Sequence, residues 1–237
     1  MAIVATSGRK GDLKLPQNYP AGHSLHAASL KNKQRDLRAG FAEPLTLRVH
    51  RALSWLLRAE DEDDDQDVRF ILLWIGFNAA YAGNLDEARE RDHLRNFFDT
   101  MVRLDGKSRI YNMVWQRFSQ EIRVLLDNKY VFAFFWAYHN GADEHADWAE
   151  KLDRAYHSSR HALEAQDTPK ILSIVFDRLY VLRNQLVHGG ATWNSKVNRD
   201  QVRDGAAILG CLLPVFIDLM MDNPQEPWAM PHYPVVD

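Results

Sequence analysis

Residues 68–82, VRFILLWIGFNAAYA, constrain the fold more than any other stretch of this chain. Apolar side chains fill almost every position, so on a helix they point all round the axis and leave no face for water. A helix of that kind has to lie at the centre of a bundle. The segments around it supply the cover. FAEPLTLRVHRALSWLLRAE predicts a helix over about 44–60, with Pro44 suited to a first turn and Leu47, Leu53, Trp55, Leu56 and Leu57 near helical spacing. Asn84 as N-cap, with Glu87 three residues later, and Gly106 as C-cap bound a third helix. Residues 107–128 predict a fourth, and KYVFAFFWAYHNG a short, very apolar fifth. DEHADWAEKLDRAYHSSRHALEAQ is amphipathic, with Trp148, Leu152, Tyr156, Ser159 and Leu163 on one stripe.

Thr168 and Pro169 supply N-cap and first position for a helix through ILSIVFDRLYVLRNQLVH, which Gly189-Gly190 ends. A last helix over about 198–221 contains Pro214, expected to kink it, and stops before Asn223-Pro224. No segment alternates as a strand would and no repeat recurs. The expectation is an all-α bundle of about six to eight helices over 41–223. Residues 1–40, rich in Gly, Ser, Pro, Lys and Arg, read as an extended or disordered arm, and 224–237 as an irregular tail.

At 237 residues and 46% hydrophobic composition, one domain with a substantial core is expected. The net charge of -3 does not draw the whole molecule to polyanions, so nucleic-acid binding would need a local basic patch. The lone Cys211 excludes an intrachain disulfide and a four-cysteine zinc site, and its apolar surroundings suggest a buried thiol in a cytosolic protein. Neither a signal peptide nor a membrane span is evident, so a cytoplasmic protein is expected.

Three clusters bear on chemistry. The acidic run 61–67, DEDDDQD, lacks the alternating carboxylates and closing Glu of a calcium loop and reads as a solvated connection. Asp153, His157, His161 and Glu164 share a helix face, as metal ligands would, but a polar face opposite an apolar one is also what a surface helix shows, and Arg160 there would repel a cation. The third cluster is Arg183, Asn184 and His188 in RNQLVHGG. His188 falls in the last helical turn, where the macrodipole favours an imidazolium, and the glycine pair leaves its surroundings open. Asn184 and His188 share a face, and Arg183 lies one position round from Asn184.

A proton carrier, an amide and a fixed cation converging on one anion suit cleavage of RNA by its own 2′-hydroxyl. No metal or cofactor is needed for that chemistry. One copy of the motif offers only one histidine, so a two-histidine mechanism needs a second copy from a symmetric partner. The alternative is a plain helix end, with His188 on terminal carbonyls and Arg183 paired to an acid such as Asp177. Downstream, Lys196, Arg199 and Arg203 could form a basic lip for flanking phosphates, with Trp193 as a stacking platform; solvated charges and a packed Trp are the alternative.

The order and spacing of RNQLVH, residues 183–188, resemble the motif of HEPN domains (higher eukaryotes and prokaryotes nucleotide-binding): an Arg, a polar residue, three residues and a His. The all-helical layout over about 44–222 is also similar, and FILLWIGFNAAYA and LRNQLVHGG resemble stretches of bacterial members of the Apea-like or defence-associated kind. The resemblance implies a metal-independent endoribonuclease acting as a homodimer, with two motifs facing each other and a 2′,3′-cyclic phosphate product. It implies that Arg183 stabilises the scissile phosphate, His188 is acid or base, and Asn184 orients both. A toxin or defence effector, with a cognate antitoxin or defence partner and no membrane association, is the setting it suggests. Some members keep the bundle as a non-cleaving module, so a module that binds protein or nucleic acid is the second reading. A metal enzyme built on His157 and His161 is the third. RNA binding further predicts that the acidic run lies away from the groove containing His188.

Overall fold

The computed structural model describes residues 25–82, 87–196, 198–233 and 235, and of residues 87–90 the backbone alone. Most of the expected arm, residues 1–24, and the expected cap Asn84 lie outside the described residues. Ten α-helices and no strands occur among the described residues: α1 Ala27–Leu37, α2 Glu43–Glu60, α3 Gln66–Tyr81, α4 Glu87–Leu104, α5 Arg109–Asn112, α6 Ser119–Asp127, α7 Ala133–His139, α8 Trp148–Glu164, α9 Thr168–Val187 and α10 Arg199–Asp222. The all-α class is as the patterning implied.

Apolar all round, α3 is the central helix, packed chiefly against α2 and α10 and more lightly against α9. Phe77 of α3 meets Phe98 of α4, Phe176 of α9 and Phe216 of α10, with ring centroids 6.2, 4.4 and 6.3 Å away. All four rings are essentially removed from water. Burying each stabilises the fold by about 2–3 kcal/mol, so four helices are tied through one aromatic cluster. Two glycines let helices approach closely: a Cβ on Gly76 would come within 2.8 Å of Leu213, and one on Gly205 within 2.9 Å of both Leu179 and Phe70.

Helix count exceeds the expectation for two reasons. Residues 107–128 divide, because α5 passes into a π-helical turn over Met113–Arg117 and the chain breaks at Phe118 before α6. Within the expected arm, residues 27–37 are helical rather than irregular. Ala27 and Leu30 of α1 are buried, and Lys33 pairs with Asp218 and Asp222 of α10 at 2.5 Å each. Docking on α2 and α10 stabilises a segment too polar to be helical by itself.

The start of α9 also differs in detail. Asp167, not Thr168, is the N-cap and accepts the Lys170 N–H at 3.1 Å. A carboxylate takes that role and leaves the Thr168 hydroxyl to accept the Trp115 indole N–H at 2.8 Å. In the last helix, Pro214 is accommodated inside α10. That helix is long and apolar enough to cross a membrane, but 78% of its most apolar window is buried within the protein. Cys211 on it is half-buried, and burial pushes its thiol up.

Among its described residues the tail forms no helix, yet it is tethered. Arg48 of α2, 2% exposed, donates to the carbonyls of Ala80, Ala229 and Met230 at 2.9, 2.6 and 3.2 Å. Three backbone acceptors, with no carboxylate among them, hold a buried guanidinium whose pKa burial lowers to about 10. It therefore stays charged at neutral pH and straps the tail across α2.

Candidate functional site

The end of α9 brings the motif to the surface. Helix α9 runs outward from the aromatic cluster, and its last turns carry Tyr180, Arg183, Asn184, Val187 and His188 at spacings of three and four. These form one stripe facing solvent, with Tyr180 46% and Val187 50% exposed. Arg183 is half-buried and its Nη1 donates to Asn184 Oδ1 at 2.8 Å. The amide therefore orients the guanidinium, and Asp177 is not its partner.

His188 is the C-cap residue, and its backbone N–H reaches the Asn184 carbonyl at 3.0 Å. Its imidazole is exposed and has no hydrogen bond or ion pair with any other described residue. A ring serving the helix end would contact terminal carbonyls, and this one does not. Gly189 then takes φ +71°, the left-handed conformation that lets the chain turn out of the helix at little cost. The Ala191 N–H closes the turn on the Gln185 carbonyl at 3.1 Å.

Behind His188 the loop is built rather than loose, and its anchors come from the acidic run. Asp65 is the N-cap of α3: Oδ1 accepts the N–H groups of Asp67 and Val68 at 3.0 Å each, and Oδ2 accepts the Trp193 indole N–H at 2.6 Å. Desolvation raises the Asp65 carboxyl, but the hydrogen bonds from Trp193, Val68 and Asp67, with the charge of Arg199, outweigh it and hold the group below the ordinary range. Asp67, buried two residues further on, accepts the Asn194 N–H at 2.8 Å and both its oxygens accept Arg199 Nη2 at 2.9 Å. Asn198 Nδ2 donates to Gln185 Oε1 at 2.9 Å, and Gln185 Nε2 donates to the Tyr130 carbonyl at 2.5 Å.

This corrects the expectation that the acidic run lies away from the motif, and carboxylates so placed count against RNA binding there. Its N-terminal carboxylates are in part paired, Glu62 with Arg58 at 2.7 Å and Asp63 with Arg69 at 3.5 Å. Its last two, Asp65 and Asp67, lie under the loop that follows His188. The reason is topological: residues 191–196 fold back over the start of α3. The lip residues are affected accordingly. Arg199 is bound to Asp67, and Arg203 pairs with Asp200 at 2.9 Å and Asp204 at 3.0 Å. The hydrogen bonds that Arg203 donates to Asp204 are the largest cause of its raised pKa. Lys196 is exposed and makes no ion pair among the described residues. Trp193, though hydrogen-bonded, remains 73% exposed.

On α8, His157 approaches Asp153 at 3.6 Å and Arg160 approaches Glu164 at 3.7 Å. Among the described residues, no three His, Cys, Asp or Glu side chains are grouped to share an ion. A cavity of about 460 Å³ opens between α6 and α8, lined by Arg123, Val124, Tyr156, Ser159 and Leu163 among others, and no motif residue lines it.

Sequence reasoning missed Gln185, Asn198, Asp65 and Asp67. The signal for Asp67 was its place on the first turn of a helix apolar all round, where one face of every turn is buried. No family model, curated protein or solved structure matches this chain.

Proposed function

We propose that the chain is a metal-independent endoribonuclease of the HEPN kind, with a site completed by a second copy of itself. The observation that carries the reading is the exposed end of α9, where an imidazole without a described protein partner stands one turn from an amide that already orients an arginine. In the reaction, a base takes the proton of a ribose 2′-hydroxyl and the 2′-oxygen attacks phosphorus. The bond to the 5′-oxygen breaks, and an acid protonates that leaving oxygen. The products are a 2′,3′-cyclic phosphate and a 5′-hydroxyl.

Arg183 offers a two-pronged donor to the phosphorane, and Asn184 keeps it aimed. His188 of one copy serves as base and His188 of the other as acid, which twofold symmetry arranges when the two α9 stripes face each other. Exposed Tyr180 and Val187 give that stripe apolar contact surface. A toxin or defence effector held by an antitoxin or defence partner is the setting we propose, in the cytoplasm.

The test is incubation of wild type and His188→Ala with a mixed pool of tRNA and mRNA in excess EDTA, with end-group analysis. Cyclic phosphate ends from wild type alone support the reading. A second reading, a non-catalytic module binding protein or nucleic acid, is favoured by one observation: Asp67, Asp200 and Asp204 neutralise Arg199 and Arg203, two of the three cations of the expected lip beside His188. It predicts an intact pool with and without chelator.

A further inference from the structure

The apolar stripe of α8 is only partly covered by protein. Trp148 at its start packs edge-on against Phe135 of α7, with ring centroids 4.9 Å apart. Further along, Tyr156, Ser159 and Leu163 line the cavity of about 460 Å³ that separates this helix from α6. Of the seventeen residues of α8 only Ser159 and Ala162 are buried, while Tyr156 and, across the cavity, Val124 of α6 remain exposed. Protein interiors leave few voids larger than a water molecule, and side chains that line one lose their dispersion partners. Leu126 and Leu163 complete the apolar wall, and the volume falls in the range of about 300–1,000 Å³ usual for small-molecule pockets.

The polar groups around the cavity select the charge of a ligand. Arg123 of α6 is exposed and makes no hydrogen bond or ion pair with any other described residue. Arg160 of α8 reaches Glu164 only at 3.7 Å, beyond hydrogen-bond length. A third guanidinium lies against the wall: Arg178 of α9, 4% exposed, donates from Nη2 to the carbonyl of Leu126 at 3.5 Å. Its Nε has no hydrogen-bond partner among the described residues, and the Phe132 ring stands 4.5 Å from its Cζ. A buried charge without an ion pair is weakly screened and favours an anion nearby. Asp127 and Glu164 line the same cavity, so a second negative charge on the ligand would be repelled. The Ser159 hydroxyl is committed to the Ala155 carbonyl at 2.7 Å, which leaves the Gln120 amide and the Tyr156 hydroxyl as neutral donors.

We infer that the gap between α6 and α8 is a binding site for a singly charged organic acid, its carboxylate held by Arg123 and Arg160 and its apolar body laid on Tyr156, Val124, Leu126 and Leu163. A guanidinium fork matches a carboxylate in two-pronged fashion, and the apolar wall needs a ring or a chain to cover it. The site is independent of the ribonuclease reading, since no residue of the α9 motif lines the cavity.

Isothermal titration calorimetry on the full-length protein at low salt tests this. The probe is 2-naphthoate, with 2-naphthol as the same rings without the charge and acetate as the charge without the rings. Binding of 2-naphthoate is expected at one site per chain with a Kd of about 1 mM or tighter, as suits a ligand of its size, and at least about tenfold weaker for both controls. Arg123→Gln and Arg160→Gln should each weaken 2-naphthoate by about tenfold, the loss of one charge-assisted hydrogen bond, and leave 2-naphthol unchanged. Both arginines are exposed, so the melting temperature without ligand should not move. Val124→Glu, also at an exposed position, sets a carboxylate in the wall and should abolish 2-naphthoate binding. No binding of 2-naphthoate, equal affinity for 2-naphthol, or wild-type affinity in all three variants would overturn the proposal.

Discussion

Replacing Asp67 by Ala tests whether the loop behind His188 is held as described. The carboxylate accepts one nitrogen of Arg199 with both oxygens at 2.9 Å and the Asn194 N–H at 2.8 Å. Removing one partner of a fully buried ion pair costs about 3–5 kcal/mol. The Arg199 side chain is 29% exposed, so water partly re-solvates it and the charge contribution falls to about 2 kcal/mol. Loss of the acceptor for Asn194 adds about 1 kcal/mol. The expected total is about 3 kcal/mol, which for a chain of this size lowers Tm by about 6–12 °C. Urea unfolding should show a lower midpoint with the slope unchanged, and amide exchange should quicken over 191–198. In a double-mutant cycle, Arg199→Ala should cost less on top of Asp67→Ala than alone, with a coupling of at least about 1 kcal/mol. A loss below about 0.5 kcal/mol, or strict additivity, would refute the argument.

Further outcomes follow from other contacts. Arg48→Met leaves three carbonyls without their donor and should cost about 3 kcal/mol, with faster proteolysis of the C-terminal tail as the readout. Gly205→Ala forces a Cβ to within 2.9 Å of Leu179 and Phe70, and overpacking of about 1–3 kcal/mol, less the gain of about 1 kcal/mol in helix propensity, should leave a net loss of about 1 kcal/mol in urea unfolding. Burial raises the Asp218 carboxyl, but hydrogen bonds from Lys33 and Arg109 outweigh it and hold the group below its ordinary value. A depressed folded value contributes stability that is complete above the unfolded value of about 4 and is lost as pH falls through the folded value. Docking of α1 should therefore weaken only below about pH 4, as read by amide exchange over 27–37, and Asp218→Asn should weaken it at neutral pH.

The bundle was legible because its strongest signal is local. An all-round apolar helix needs neighbours: α2 directly precedes it in the chain, and α9 and α10, though distant, carry helical apolar patterns of their own. What escaped the sequence depended on distant partners. The α1 segment AASLKNKQRDL shows little apolar periodicity, and its anchor, the pairing of Lys33 with Asp218, spans 185 residues. The break at Phe118 within 107–128 leaves no Gly or Pro to mark it.

The candidate site divides in the same way. Arg183, Asn184 and His188 lie within six positions, so helical geometry alone places them on neighbouring faces. Their support does not. The bond from Trp193 to Asp65 spans 128 residues, and a carboxylate that caps one helix while orienting an indole elsewhere reads, in sequence, as one more acid in a charged run. Repulsion between carboxylates and RNA predicts that the acidic run lies clear of the motif, whereas Asp65 and Asp67 anchor the loop beside it.

The central claim is a catalytic site made from His188 of two chains, and subunit mixing tests it most directly. Wild type is exchanged with His188→Ala in increasing proportion at constant total protein, and RNA cleavage is followed in EDTA. If each site needs both histidines, activity falls as the square of the wild-type fraction, and the fragments carry cyclic phosphate ends throughout. Activity falling in direct proportion to the wild-type fraction would contradict the shared site, and an uncut pool at every ratio would contradict the ribonuclease itself.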